Sequence, residues 1–155
     1  MNLSKQLAED FKNVHFGGNW TSVNYKAVLD NVTWHEALQE VNGLNTIAKL
    51  VFHSNYYVDA VLNVLRGGPL EAHDSFSYDL KPLNSDADWM NLKNKLFDDA
   101  ERFAELIALL PEEKLWDNLA DPKYGTYYRN IQGIIEHCHY HLGQIVVIKR
   151  MVSNI

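Results

Sequence analysis

The stretch "IIEHCHYHLGQIVVIKR", residues 134–150, decides how this chain folds. An α-helix turns by about 100° per residue, which puts Ile131, Ile135, Cys138, Leu142 and Ile145 on one apolar seam. Into that helix the sequence sets three of its seven histidines, His137, His139 and His141. A buried imidazole without a partner costs stability, so each ring needs a reason to be there. His137 and His141, four residues apart, project from one flank of the seam. His139 falls on the opposite flank and reads as a structural, surface or interface residue. Cys138 lies on the seam itself, where a thiol behaves as a small hydrophobe. With no helix N-terminus or lysine nearby to lower its pKa, it is not expected to be a nucleophile.

Working outward, three more long helical patterns appear. Leu3, Leu7, Phe11 and Val14 share a face, and the pattern breaks at "HFGGNWTS", residues 15–22, where Gly17 and Gly18 stop the helix. "SVNYKAVLD" resumes a turn or two. Thr33 and Glu36 in "TWHEAL" have the spacing of a capping box opening a short helix. The second long helix starts at Asn45 or Thr46 and carries Ile47, Leu50, Val51, Val58, Val61, Leu62 and Leu65 up to the stop signal "RGGP". A connection from about residue 67 to 84 is too long for a hairpin and is expected to cross the end of the bundle. Ser85 and Asp88 mark the start of the third long helix, with Trp89, Leu92, Leu96, Phe97, Phe103 and Ile107 inward. After Pro111 and the polar loop "DPKYGTYYRN", the last helix is expected from about Asn130 to the C-terminus. No segment alternates with period two. The reading is one all-α domain over residues 1–155, a four-helix bundle with one long crossover.

The second long helix bears on the histidines. His53 lies on one flank of its seam, displaced in the same rotational sense as His137 and His141, and Tyr57 shares that flank one turn on. Neighbouring helices would bring the three rings to a common point. Three neutral imidazoles on one side of a divalent ion leave positions open for water or substrate, as catalytic sites require. Two ligands four apart on a helix project to the same place, so the third must come from another helix. Imidazole-only ligation suits Zn²⁺, Ni²⁺, Cu²⁺ or Fe²⁺ without choosing among them.

Composition narrows the rest. The balance of 14 Lys plus Arg against 20 Asp plus Glu gives a formal charge of −6, the wrong sign for a nucleic-acid partner. Lys149 and Arg150 read as the complement of a helix C-terminus. A single cysteine allows no intrachain disulfide and fits a reducing compartment. Runs such as "IALL" and "IVVI" are far too short to span a bilayer. A cytoplasmic location is expected.

A His early in the second long helix, here His53 in "IAKLVFHSNYYV", followed far downstream by His137, His141, Gly143 and Gln144 in "EHCHYHLGQI", resembles the DinB-like superfamily of small metal-binding bundles. The short helix at "TWHEAL" ahead of "NTIAKLVFH" is similar to that family's layout, and the resemblance covers nearly the whole chain. It implies an up-down-down-up bundle with the crossover between the second and third long helices. It further implies a three-histidine metal centre, commonly with nickel or zinc, and a homodimer. Some relatives are transferases or isomerases that use a low-molecular-weight thiol; many have no assigned activity. The family name refers to induction by DNA damage and implies no DNA binding.

The expected metal ligands are therefore His53, His137 and His141, with Zn²⁺ or Ni²⁺ as the ion. Asn19, Trp20, Tyr57, Gln144 and the "YGTYY" loop are the residues from which a pocket would be built, though Trp and Tyr more often pack, and packing is the preferred reading of Gln144. No cluster of Arg or Lys on the metal flank announces a carboxylated cosubstrate. Three functions follow in order of preference: a metal-dependent enzyme acting on a small molecule, with a thiol cosubstrate possible; a non-catalytic, stress-linked metal-binding module; and a plain interaction bundle.

Overall fold

The computed structural model describes residues 2–153. Within them every regular element is helical. The first helix, α1 (Leu3–Phe16), is capped by the Asn2 side chain, which accepts from the Lys5 amide. It stops because Gly17 takes φ 107°, a conformation that disfavours any side chain, and donates its N–H to the Asn13 carbonyl. Two short helices follow, α2 (Tyr25–Leu29) and α3 (Trp34–Leu38). The second carries the capping box expected from sequence: the Glu36 amide donates to Thr33 Oγ1, and the Thr33 amide donates to Glu36 Oε2 at 2.8 Å.

Three longer helices complete the fold: α4 (Ile47–Leu65), α5 (Asp86–Leu109) and α6 (Tyr127–Val152), capped by Thr46, Ser85 and Thr126. Helix α1 packs against α5 and α6, and α4 packs against the same two. The inward seams meet in one core: Phe11 sits edge-on to Phe103 with ring centroids 4.7 Å apart. Leu50, Leu62, Leu96, Ile107, Ile131 and Leu142 lie with them, essentially sealed from solvent.

Three local features differ from the sequence reading. Helix α6 begins at Tyr127 and not near Asn130. The sequence "TYYRN" is polar enough to read as loop, yet Thr126 Oγ1 accepts from the Arg129 amide at 3.1 Å and caps a helix there. The segment between α4 and α5 lies along the flank of α4 as well as bridging the two helices. Its backbone finds partners on that flank, His73 with the Tyr56 hydroxyl and the Ser77 carbonyl with His53 Nδ1, and the Asp74 carboxylate adds a side-chain contact by accepting from the Tyr57 hydroxyl. Lys149 and Arg150 lie in the last turn of α6 as expected, but the Lys149 ammonium also reaches the C-terminal end of α2, donating to the Val28 carbonyl and to Asn31 Oδ1. No helix among the described residues is long and apolar enough to cross a membrane.

Candidate metal centre

The packing of α4 against α6 brings His53 to His137 and His141. Ring centroids are 4.9 Å apart for His53 and His137, 4.6 Å for His53 and His141, and 4.4 Å for His137 and His141. One ligand atom from each residue lies within 4.8 Å of the other two. His53 and His141 are 7 % and 5 % exposed and His137 is half-buried.

Partners behind the rings fix where the lone pairs point. His53 Nδ1 lies 3.1 Å from the Ser77 carbonyl, which can only accept, so Nδ1 carries the hydrogen and Nε2 is a bare donor atom. His141 Nδ1 lies 2.7 Å from Gln144 Oε1, while Gln144 Nε2 donates to the Tyr140 hydroxyl. That arrangement likewise leaves His141 Nε2 bare. Such partners orient imidazole ligands and raise their basicity. Gln144 therefore does more than pack.

His137 Nε2 faces His53 Nε2 at 3.1 Å, and only a proton or a cation between two such nitrogens makes that approach favourable. Two nitrogens bound at the usual length of ~2.0–2.1 Å lie about 3 Å apart for angles between 90° and tetrahedral, so the observed spacing suits a shared ion. His137 Nδ1 is buried and has no protein partner among the described residues.

The electrostatics agree. Burial lowers the pKa of all three rings. For His137, burial and the neighbouring His141 and His53 bring it down to about 4. The rings are thus neutral at pH 7, the form that ligates. Tyr78 stacks on His53 at 3.9 Å and 8°, shielding one face.

In front of the histidines opens a cavity of about 720 Å³. Tyr57 lines it, with its hydroxyl donating to Asp74 Oδ1 at 2.8 Å. Of the "YGTYY" loop only Tyr124 reaches the lining; Tyr127 is buried and Tyr128 packs on Trp116. Asn19 and Trp20 lie outside the lining. Asn19 spends its amide on the Asn13 and Val23 carbonyls, holding the glycine break together, and Trp20 is 100 % exposed. Gln144 stands behind His141 and outside the lining of this cavity.

Sequence reasoning missed Ser77, Asp74, Tyr78, Arg129 and Tyr140. The first three come from a connection without periodicity, so nothing placed them beside α4. Arg129 and Tyr140 were within reach: they stand eight residues before His137 and one before His141 on a helix already assigned.

The fold and the site together define a small helical bundle with a three-histidine cluster able to hold a metal ion at the foot of an open cavity. The sequence profile of the DinB superfamily matches residues 10–145, and the chain belongs to that superfamily. No curated protein and no solved structure matches it.

Proposed function

We propose that this protein is a metal-dependent enzyme acting on a small molecule held in the cavity, with the ion on His53, His137 and His141. The observation that carries the reading is the meeting of two bare Nε2 atoms and a third imidazole at the edge of a cavity, with no fourth His, Cys, Asp or Glu in the cluster among the described residues. A structural zinc site would be closed by a fourth ligand. Asp74, the carboxylate lining the cavity, is engaged by Tyr57.

A divalent ion bound there supplies Lewis acidity, which turns a weakly acidic donor into a nucleophile near neutral pH. The chain's own groups supply the setting. Ser77 and Gln144 hold two of the imidazoles, Tyr78 covers His53, and Tyr57 keeps its proton toward Asp74, burial and that carboxylate both raising its pKa. Cys138 supplies no thiol to this chemistry: it is sealed in the core, where burial pushes its pKa up to about 12. A thiol cosubstrate, if used, comes from outside the chain. Zn²⁺ and Ni²⁺ are the proposed ions. The arrangement in which α4 contacts both α5 and α6, with a long connection before α5, supports an up-down-down-up course for the four long helices.

Elemental analysis of untagged protein, followed by a screen of electrophiles with several low-molecular-weight thiols and with water, tests this reading. One equivalent of metal and turnover that stops on chelation are expected. Full metal content with no turnover under any pairing would favour the non-catalytic module.

A further inference from the structure

The cavity has a polarity that the three histidines do not explain. Arg129 is the only lysine or arginine in its lining, in a chain whose formal charge is −6. No ion pair among the described residues involves Arg129, so this guanidinium has no carboxylate partner among them. It stands in the first turn of α6, where the helix dipole adds to its positive field.

Arg129, Gly133, His137 and His141 follow one another at intervals of four and form one ridge of α6. Gly133 is the odd member. Glycine weakens the interior of a helix relative to alanine, and here it sits inside a 26-residue one. No turn requires it, since its φ is not positive. No close packing requires it either: a Cβ at this position meets nothing within 4 Å. What the missing side chain leaves is open floor between the guanidinium and the imidazoles.

We propose that the cavity binds an elongated monocarboxylate whose carboxylate pairs with Arg129, whose chain lies over Gly133, and whose far end reaches the metal at the three histidines. This inference rests on the metal centre proposed above and adds the class of molecule it serves. Eight residues separate Arg129 from His137, about 12 Å along the helix, which sets the length of the ligand. The planar guanidinium fork matches a carboxylate, and a single unpaired cation suits a single negative charge. Val61, Leu70 and Ile134 give the chain an apolar wall.

The test uses the full chain loaded with Co²⁺, whose visible absorption reports a ligand arriving at the metal. Three probes separate the parts of the site: acetohydroxamate (a metal-binding head alone), octanohydroxamate (the head with an apolar chain) and suberic monohydroxamate (the same chain ending in a carboxylate). Wild type is expected to bind suberic monohydroxamate at least tenfold more tightly than octanohydroxamate. Arg129→Gln should erase that preference and leave acetohydroxamate binding unchanged. Gly133→Leu should keep acetohydroxamate, lose the long carboxylate probe tenfold or more, and melt no lower than wild type; a glycine kept for structure alone would not give that combination.

Equal affinity of wild type for the two long probes, with acetohydroxamate bound, overturns the inference and leaves the metal centre standing. A Gly133→Leu variant that binds the carboxylate probe as well as wild type also overturns it. Failure of wild type to take up Co²⁺ or acetohydroxamate overturns the metal centre, and the inference falls with it.

Discussion

Two regions of this molecule hold histidines whose pKa burial depresses to about 4, and they do opposite things with them. In the first, His15 is wholly sealed: its ring stacks on Tyr25 at 5.0 Å and 14°, its Nδ1 meets the Phe11 carbonyl, and its Nε2 has no partner among the described residues. Tyr25 in turn places its hydroxyl 2.9 Å from Ser54 Oγ and 3.0 Å from the Cys138 carbonyl, tying α2 to α4 and α6. In the second region, His137 meets two other imidazoles and a cavity. The same desolvation acts on both rings. Convergence of ligand atoms and access to a substrate-sized space make one a candidate centre and leave the other a core residue. A perturbed histidine alone therefore says little about function here.

The comparison breaks most visibly on metal content. His53→Ala or His141→Ala should abolish metal binding by the purified protein, whereas His15→Leu should retain it in full. Metal content unchanged in both site variants would end the assignment.

Next in size is the pH dependence of folding. Native His15 refuses a proton until about pH 4, while the unfolded chain accepts one near 6.5. Between those values the unfolded state binds more protons, so the contribution of His15 is fully present above about pH 6.5 and is lost as pH falls to 4, by about 3 kcal/mol. Denaturant titrations at several pH values should show His15→Leu flattening this acid limb. An unchanged slope would mean that the ring is not sealed.

Gln144→Leu removes the acceptor behind His141. Such partners are worth roughly 10–100-fold in metal affinity, and competition with a chelator should read a loss in that range with the melting temperature little changed. The smallest effect is expected for Tyr25→Phe, which deletes one buried hydroxyl and should cost about 1 kcal/mol of stability without touching metal affinity. A change in metal affinity there would show that the two regions are coupled.

Much of the site was legible before any coordinates because helices make angular position computable. The offset of four between His137 and His141, and the matching flank of His53, required only the periodicity of α4 and α6. The caps at Thr33 and Ser85 were legible for a similar reason, since each is a local contact over three residues, and the start of α4 was narrowed to Asn45 or Thr46, of which Thr46 is the cap. Thr126 was not, because tyrosine and arginine in the first turn masked the helix it opens. Nor were Asn19 and Trp20 placed correctly by proximity to the glycine break: the turn closes on itself through the Asn19 amide and leaves Trp20 in solvent.

The sequence by itself determined four long helices, their inward faces and the three imidazoles able to meet, since each follows from spacing along a regular helix. Only the tertiary structure decided what stands behind and in front of those rings. Ser77, Tyr78 and Asp74 arrive on a connection whose path is set by its backbone finding hydrogen-bond partners along α4. The cavity between that segment and the ridge of Arg129 and Gly133 on α6 exists only once both are in place. Periodicity fixes direction within an element, and packing alone fixes what the element faces.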